Sequence, residues 1–580
     1  MSILVILLVA VLIGGGIVAV VLTTRAQPHA GDTAAVPTVR RVIVYVLLFA
    51  LVVIGAIGLA GLLGRLLNVG VELVADDTAG LARSLAFTLI GGPLAWLLWW
   101  MVWRRAGVPA ERDSPAWGLY VAGLSVVSLV TFASSLLSAA SNLVGGSWRP
   151  QTVATGLVWA GVWFWHRWMA KHPDRGPRLL SSVAPILNSA YGLILGTGGA
   201  VTALGVLLDT AIRDFATEGT IGHPWWRNLL QAIIWAAGGA LVWWWHWVRG
   251  EVRLSRDRLA QVVLAVVGIL GGTLLTLAGA GIALYVLLRL AFDPGDPAAR
   301  ILDPLGYAIA SAALGALVLA YHDRVAVDRS PGFARTARLV ESGVALVATA
   351  SGVGVIMNSL LATLGNPLVG SGTRTLLLGG ISSLLVGGPL WWLTWKPTRP
   401  AEPTEASTGR RVYLITVFGL SAVSALVTLL VLGYRLFEFT LADETGGALI
   451  DRVRAPLGLF VATAMVAAYH FSVWRHDRTA LAEMPGGRRT IGRVILVAAV
   501  DAEAQKLAIE EHTGAPVTVW LRDDTAAVAA AKPSYGAGST TSAVGPPLDL
   551  LFDALDGVGA KRVLVVTGPG AAIEVIPLLD

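Results

Sequence analysis

The chain has 580 residues, of which 55% are hydrophobic and 14% charged, and its mean hydropathy is +0.70. Those values lie well outside the range of soluble globular domains and assign the chain to a lipid bilayer. It holds no cysteine, which excludes disulfides, cysteine-ligated iron–sulfur or zinc sites and a thiol nucleophile.

A helix needs about 20 apolar residues to cross the roughly 30 Å hydrocarbon layer. Windows of that size fall near 2–22, 42–65, 84–103, 118–144, 152–171, 183–208, 228–248, 259–291, 304–322, 338–365, 374–395, 411–437 and 456–475. They predict thirteen crossings, one leading helix followed by six hairpins. Residues 1–25 carry no Lys or Arg before Arg25. Without that basic stretch they read as an uncleaved anchor with its N-terminus outside, the alternative being a removed signal peptide.

The phrases GGPLAWLLWW at 91, GGALVWWWHW at 238 and GGPLWWLTWK at 387 recur 147 and 149 residues apart, each closing an apolar run. A second ending, VWFWH at 162, VLAYH at 318 and VAAYH at 466, alternates with them. The hairpins start near 40, 116, 187, 258, 337 and 410, which is a regular internal repeat. Three four-helix repeats follow, over 40–172, 183–324 and 337–476. All run in the same direction, which disfavours an inverted-repeat transporter. Small residues spaced along GILGGTLLTLAGAGIAL let helix backbones approach closely, so the first helix of each hairpin is expected inside. The Trp-rich endings are expected as inner-leaflet anchors on the lipid side.

The loops after crossings 1, 3, 5, 7, 9 and 11 carry 22 Lys and Arg against 11 acids, and the opposite loops with adjoining helix ends carry 11 against 13. Basic residues stay on the cytoplasmic side during insertion, so the C-terminus is expected inside. The net charge of +6 then reports topology, and no nucleic-acid partner is implied. From 487 to 580 the pattern becomes strand, helix and strand over RVILVAAV, AEAQKLAIEEHTG and PVTVWLR. A low-complexity stretch, a helix at LDLLFDALDGV and two further strands follow. Asp501 is placed to cap the first helix and Gly514 to end it. This reads as a small cytoplasmic α/β domain.

Candidate sites are few. His166, His322 and His470 hold equivalent places and are read as contacts to a neighbouring repeat or loop; metal or haem ligation is the alternative, and His246 is the one other histidine at such a helix end. Arg65, Arg289 and Arg435 lie near outer helix ends, where they either snorkel or pair, with Glu72 and Glu438 in reach, or contact a lipid headgroup or other anion. Glu341, near the start of a helix, reads as solvated. TGPG at 567 follows a strand but lacks the lysine and hydroxyl of a phosphate loop, and reads as a turn. The middles of the spans hold almost no ionisable residues, which argues against proton- or ion-coupled transport. No motif or cofactor signature of an enzyme is present.

The tandem four-helix units with GG-[AP]-L-x-W endings followed by [YW]-H endings resemble a bacterial membrane family catalogued as domain of unknown function 5671, in three copies over about 40 to 476. The resemblance implies a bacterial cytoplasmic (inner) membrane protein and brings no activity or ligand. The reading is an all-α polytopic membrane protein with a C-terminal α/β domain. It would act as a structural, assembly or sensory platform that contacts membrane lipids and binds a protein partner through its tail. The alternative is a passive carrier for a lipid-like or apolar substrate.

Overall fold

The structure, a computed structural model, describes residues 35–68, 78–216, 224–364, 372–396, 408–441, 449–482, 491–498, 501–522, 547–556, 558–568 and 573–578. The leading segment 2–22, Glu72 and most of the low-complexity stretch lie outside them. The chain divides into two compact units, one carrying the helices as far as His470 and the other the tail from Phe471.

The long helices are α1 (Ala35–Leu66), α2 (Thr78–Arg105), α3 (Pro115–Val144), α4 (Pro150–Lys171), α5 (Val183–Ala216) and α6 (Trp225–Trp244). They continue as α7 (Arg258–Phe292), α8 (Leu305–Arg329), α9 (Pro331–Ala362), α10 (Gly372–Trp395), α11 (Thr408–Leu441) and α12 (Leu449–Ala482). By length and composition, ten helices among the described residues are able to cross a membrane. Helices α4 and α6 are not among the ten; their many tryptophans lower the hydropathy of otherwise apolar segments. Prolines at the first turn start α3, α4 and α9, where the missing N–H costs nothing. Ser330 caps α9 by accepting a hydrogen bond from the Phe333 amide at 3.1 Å.

Glycine sets how closely the hairpins pack. On α5, Gly192, Gly196 and Gly199 face α6, and a Cβ on Gly239 would run into the backbone of Gly196. In a bilayer no hydrophobic effect drives helix pairing, so close backbone contact of this kind supplies the attraction. The expected interior is found only in part. Helix α3 is largely buried, whereas α1, α5, α9 and α11 bury only 22% to 28% of their apolar windows. The tryptophans also split. Trp96 is 61% exposed, while Trp99, Trp103, Trp247 and Trp395 are buried, so the Trp endings are as much interior packing as lipid anchors.

The tail holds β1 (Ile491–Ala498), α13 (Ala502–Thr513), β2 (Val517–Leu521), α14 (Leu548–Leu555), β3 (Ala560–Thr567) and β4 (Ile573–Leu578). The sheet order is β2-β1-β3-β4, with β1 parallel to β2 and β3, and β3 antiparallel to β4. Val494 sits opposite both Val517 and Val563, and with Leu496, Val565, Ile509 and Leu551 it forms a closed core. Asp501 takes a left-handed conformation and its side chain makes no capping bond, contrary to expectation. Gly514 ends α13 as expected, at φ +65° with its N–H on the Glu510 carbonyl.

Candidate functional site

The aromatic endings fold into one recurring knot at the end of each repeat that faces the Arg-rich loops. The indole N–H of Trp247 donates to the Tyr321 hydroxyl at 2.9 Å, and Trp395 donates to Tyr469 at 2.8 Å. The neighbouring histidines follow suit. Trp247 and His322 lie 5.7 Å apart at 53°, and Trp395 and His470 share both values. Trp243 and Trp391 meet the same two tyrosines edge-on, each at 5.6 Å and 75°.

The first repeat reaches the same shape with other residues. Trp99 stands 148 positions before Trp247, which stands 148 before Trp395. Trp165 occupies the tyrosine's place and its ring packs 5.0 Å from that of Trp99. An indole cannot accept the bond, so Trp99 donates to the Met169 sulfur at 3.1 Å. Ala95 stands where the others carry Trp243 and Trp391, leaving room for the larger ring. The constant 148 differs from the Gly-Gly spacings of 147 and 149 because the second repeat has one extra residue between its glycines and Trp247. A π-helical turn at Trp245–Arg249 accommodates it.

His166, His322 and His470 are fully buried or nearly so, as is His246. Each Nδ1 lies 2.7 to 2.9 Å from the carbonyl one turn earlier, of Val162, Val318, Val466 and Val242 respectively. A carbonyl only accepts, so Nδ1 carries the hydrogen and Nε2 is left as an acceptor in the neutral ring. His166 Nε2 meets the Tyr120 hydroxyl at 3.1 Å, and His246 Nε2 meets Asn188 at 3.4 Å. In place of the expected contacts between repeats, these bonds lie within each one, each Nδ1 sharing a carbonyl of the histidine's own helix. Among the described residues no three His, Asp or Glu side chains gather as a metal-ligand set.

Arg289 and Arg435 have carboxylate neighbours. Arg289 is bound by Asp296 at 2.7 Å and approached by Asp293 at 3.8 Å, with its side chain 15% exposed. Asp293 is buried and accepts a hydrogen bond from Thr375 of α10 at 2.8 Å. Arg435 pairs with Glu438 at 2.9 Å in a more exposed setting, and Arg65 ends α1. Asp296 lies between α7 and α8, and the Arg289 guanidinium bonded to it holds its carboxyl below the usual carboxylate range. Glu341 departs from its solvated reading. Helix α9 starts at Pro331, so Glu341 lies three turns inside it and is buried, with Oε1 unbonded among the described residues.

Between α7, α9, α10 and α11 runs a groove of about 1450 Å³ with almost wholly apolar walls. Tyr413 and Thr336 stand at one end and Tyr285 and Thr375 at the other, so it extends along most of the helix length. In the tail, Thr567 donates to Gln505 inside the core at 2.9 Å, and the rest of TGPG lies largely outside the described residues.

No curated protein and no solved structure matches this chain. The family model described as domain of unknown function DUF5671 matches three successive segments, 41–165, 185–321 and 335–465, each ending at or within a few residues of a knot histidine. The chain therefore belongs to the DUF5671 family and carries its domain three times in tandem.

Proposed function

We propose that this chain is a membrane platform of thirteen helices, a leading anchor and three four-helix repeats. It holds an α/β tail on the cytoplasmic side of a bacterial inner membrane for a protein partner. The observation that carries this reading is the knot. The second and third repeats build it with the same ring distances and angles and the first rebuilds it from Trp165, Met169 and Ala95. Buried bonds of this kind fix helix ends against one another, which suits a rigid support. On the tail, Trp520 is 58% exposed on the edge strand β2, and exposed tryptophans of this sort often dominate partner binding.

A chain ending at Asp477 should insert as a folded protein and lose its partner, and Trp520→Ala in the full chain should also lose it. Loss of the membrane-inserted protein on truncation, with binding unaffected by Trp520→Ala, would make the tail a folding element and remove this reading. A second reading, a carrier for a lipid-like substrate, is favoured by the groove beside α11.

A further inference from the structure

The three repeats treat one interior position differently. Seven residues before each knot histidine stand Trp159, Gly315 and Thr463. Trp159 is buried and fills the space between α1, α3 and α4, packed with Ala56 and Val127. Gly315 lets α8 close directly onto the backbone of α7 at Thr276. Thr463 does neither. It lines a laterally open cavity of about 560 Å³ between α9, α11 and α12.

The cavity is long and narrow. Its wall on α9 runs from Gly343 to Asn358, which is about 22 Å at 1.5 Å per residue. That is most of the roughly 30 Å hydrocarbon thickness. The walls are apolar apart from small hydroxyls, and Ser421 and Thr463 already donate to carbonyls of their own helices. Asn358 is the exception. It stands one turn from the outer end of α9, and its buried Oδ1 has no hydrogen-bond partner among the described residues. An orphan acceptor at membrane depth is costly, and a donor arriving with a ligand would relieve it.

We propose that the third repeat binds one hydrocarbon chain of a membrane lipid in this cavity, with a hydroxyl or amide donor of that lipid on Asn358 Oδ1. The inference rests on the membrane-spanning reading and on neither the tail nor its partner. Leu420, which stands seven residues beyond Tyr413 as the buried Val127 stands seven beyond Tyr120, is 67% exposed and lines both this cavity and the larger groove, giving a lateral way in.

The test is native mass spectrometry of the full chain released from its own membrane. The wild type should carry one lipid that survives detergent exchange, and the mass of that lipid identifies the chain and its head. Thr463→Trp restores the filling residue of the first repeat and should lower lipid occupancy about tenfold, with an unchanged or higher Tm because a cavity is filled. Ser421→Phe fills the same space from α11 and serves if Thr463→Trp does not fold. Asn358→Leu should lower occupancy while leaving the chain folded. A wild type without retained lipid, or full occupancy in folded Thr463→Trp or Ser421→Phe, overturns the proposal. Partner binding by the tail is measured separately, so failure here leaves the platform reading standing.

Discussion

Trp395 donates its indole N–H to the Tyr469 hydroxyl at 2.8 Å, across 74 residues of chain, and Trp247 makes the same bond to Tyr321 across the same 74. Tyr469→Phe or Tyr321→Phe removes the acceptor of this bond from a buried indole. Each should cost about 0.6 to 1.7 kcal/mol, the range for hydrogen bonds between membrane helices. The two variants should behave alike in thermal unfolding because the two sites share one geometry. A tyrosine whose loss changes nothing would mark its bond as incidental.

Gly239→Ala should be destabilising by about 1 to 3 kcal/mol, the usual cost of overpacking. A methyl there meets the Gly196 backbone, which cannot rotate aside as a side chain would. The same change at Gly281, which has open space around its Cβ position, should be close to neutral. Parallel melting curves in one detergent compare them directly.

Asp296 gives the pH dependence. Its carboxyl is held below the usual range by the bond from Arg289. A lowered folded pKa adds stability at pH above the unfolded value, near 3.9, and that stability is lost as pH falls through the lower folded value. Asp296→Asn should therefore lower Tm at neutral pH, and the difference from wild type should close in acid below the ordinary Asp range. A difference that stays constant with pH would show that the pair does not act through charge.

Arg289 and Arg435 should respond differently to lysine. Arg289 is largely buried and reaches toward two carboxylates, a geometry that a lysine point charge reproduces badly. Arg289→Lys should thus lower stability. Arg435 pairs at an exposed site, so Arg435→Lys should change stability by no more than about 1 kcal/mol. If these residues and Arg65 also hold a lipid headgroup, the triple lysine variant should lose bound lipid beyond what the stability change explains.

Much of this was legible in the amino-acid order. Apolar runs marked the helices, the Gly-Gly and His endings marked the repeat, and alternation with Gly514 outlined the tail. What stayed hidden depends on which way a helix faces. Trp99 and Trp100 are adjacent in one aromatic run, yet Trp99 is buried and Trp100 is exposed, because each residue turns the helix by about 100°. The π turn at Trp245–Arg249 shifted the register by one, so matching glycines misaligned the tryptophans. Glu341 was misread because Pro331 starts its helix earlier than the apolar run does. The cavity at Thr463 emerges only when its place is compared with Trp159 and Gly315 after folding.

The central proposal is that the Arg-rich loops lie on the cytoplasmic side of the membrane, and cysteine labelling tests it most directly because the chain has no cysteine of its own. Ser147 is exposed in the turn between α3 and α4, and Ser181 is exposed between α4 and α5. In intact cells an impermeant thiol reagent should label Ser147→Cys and spare Ser181→Cys until the membrane is opened. Labelling of Ser181→Cys with protection of Ser147→Cys would invert the topology and contradict the account.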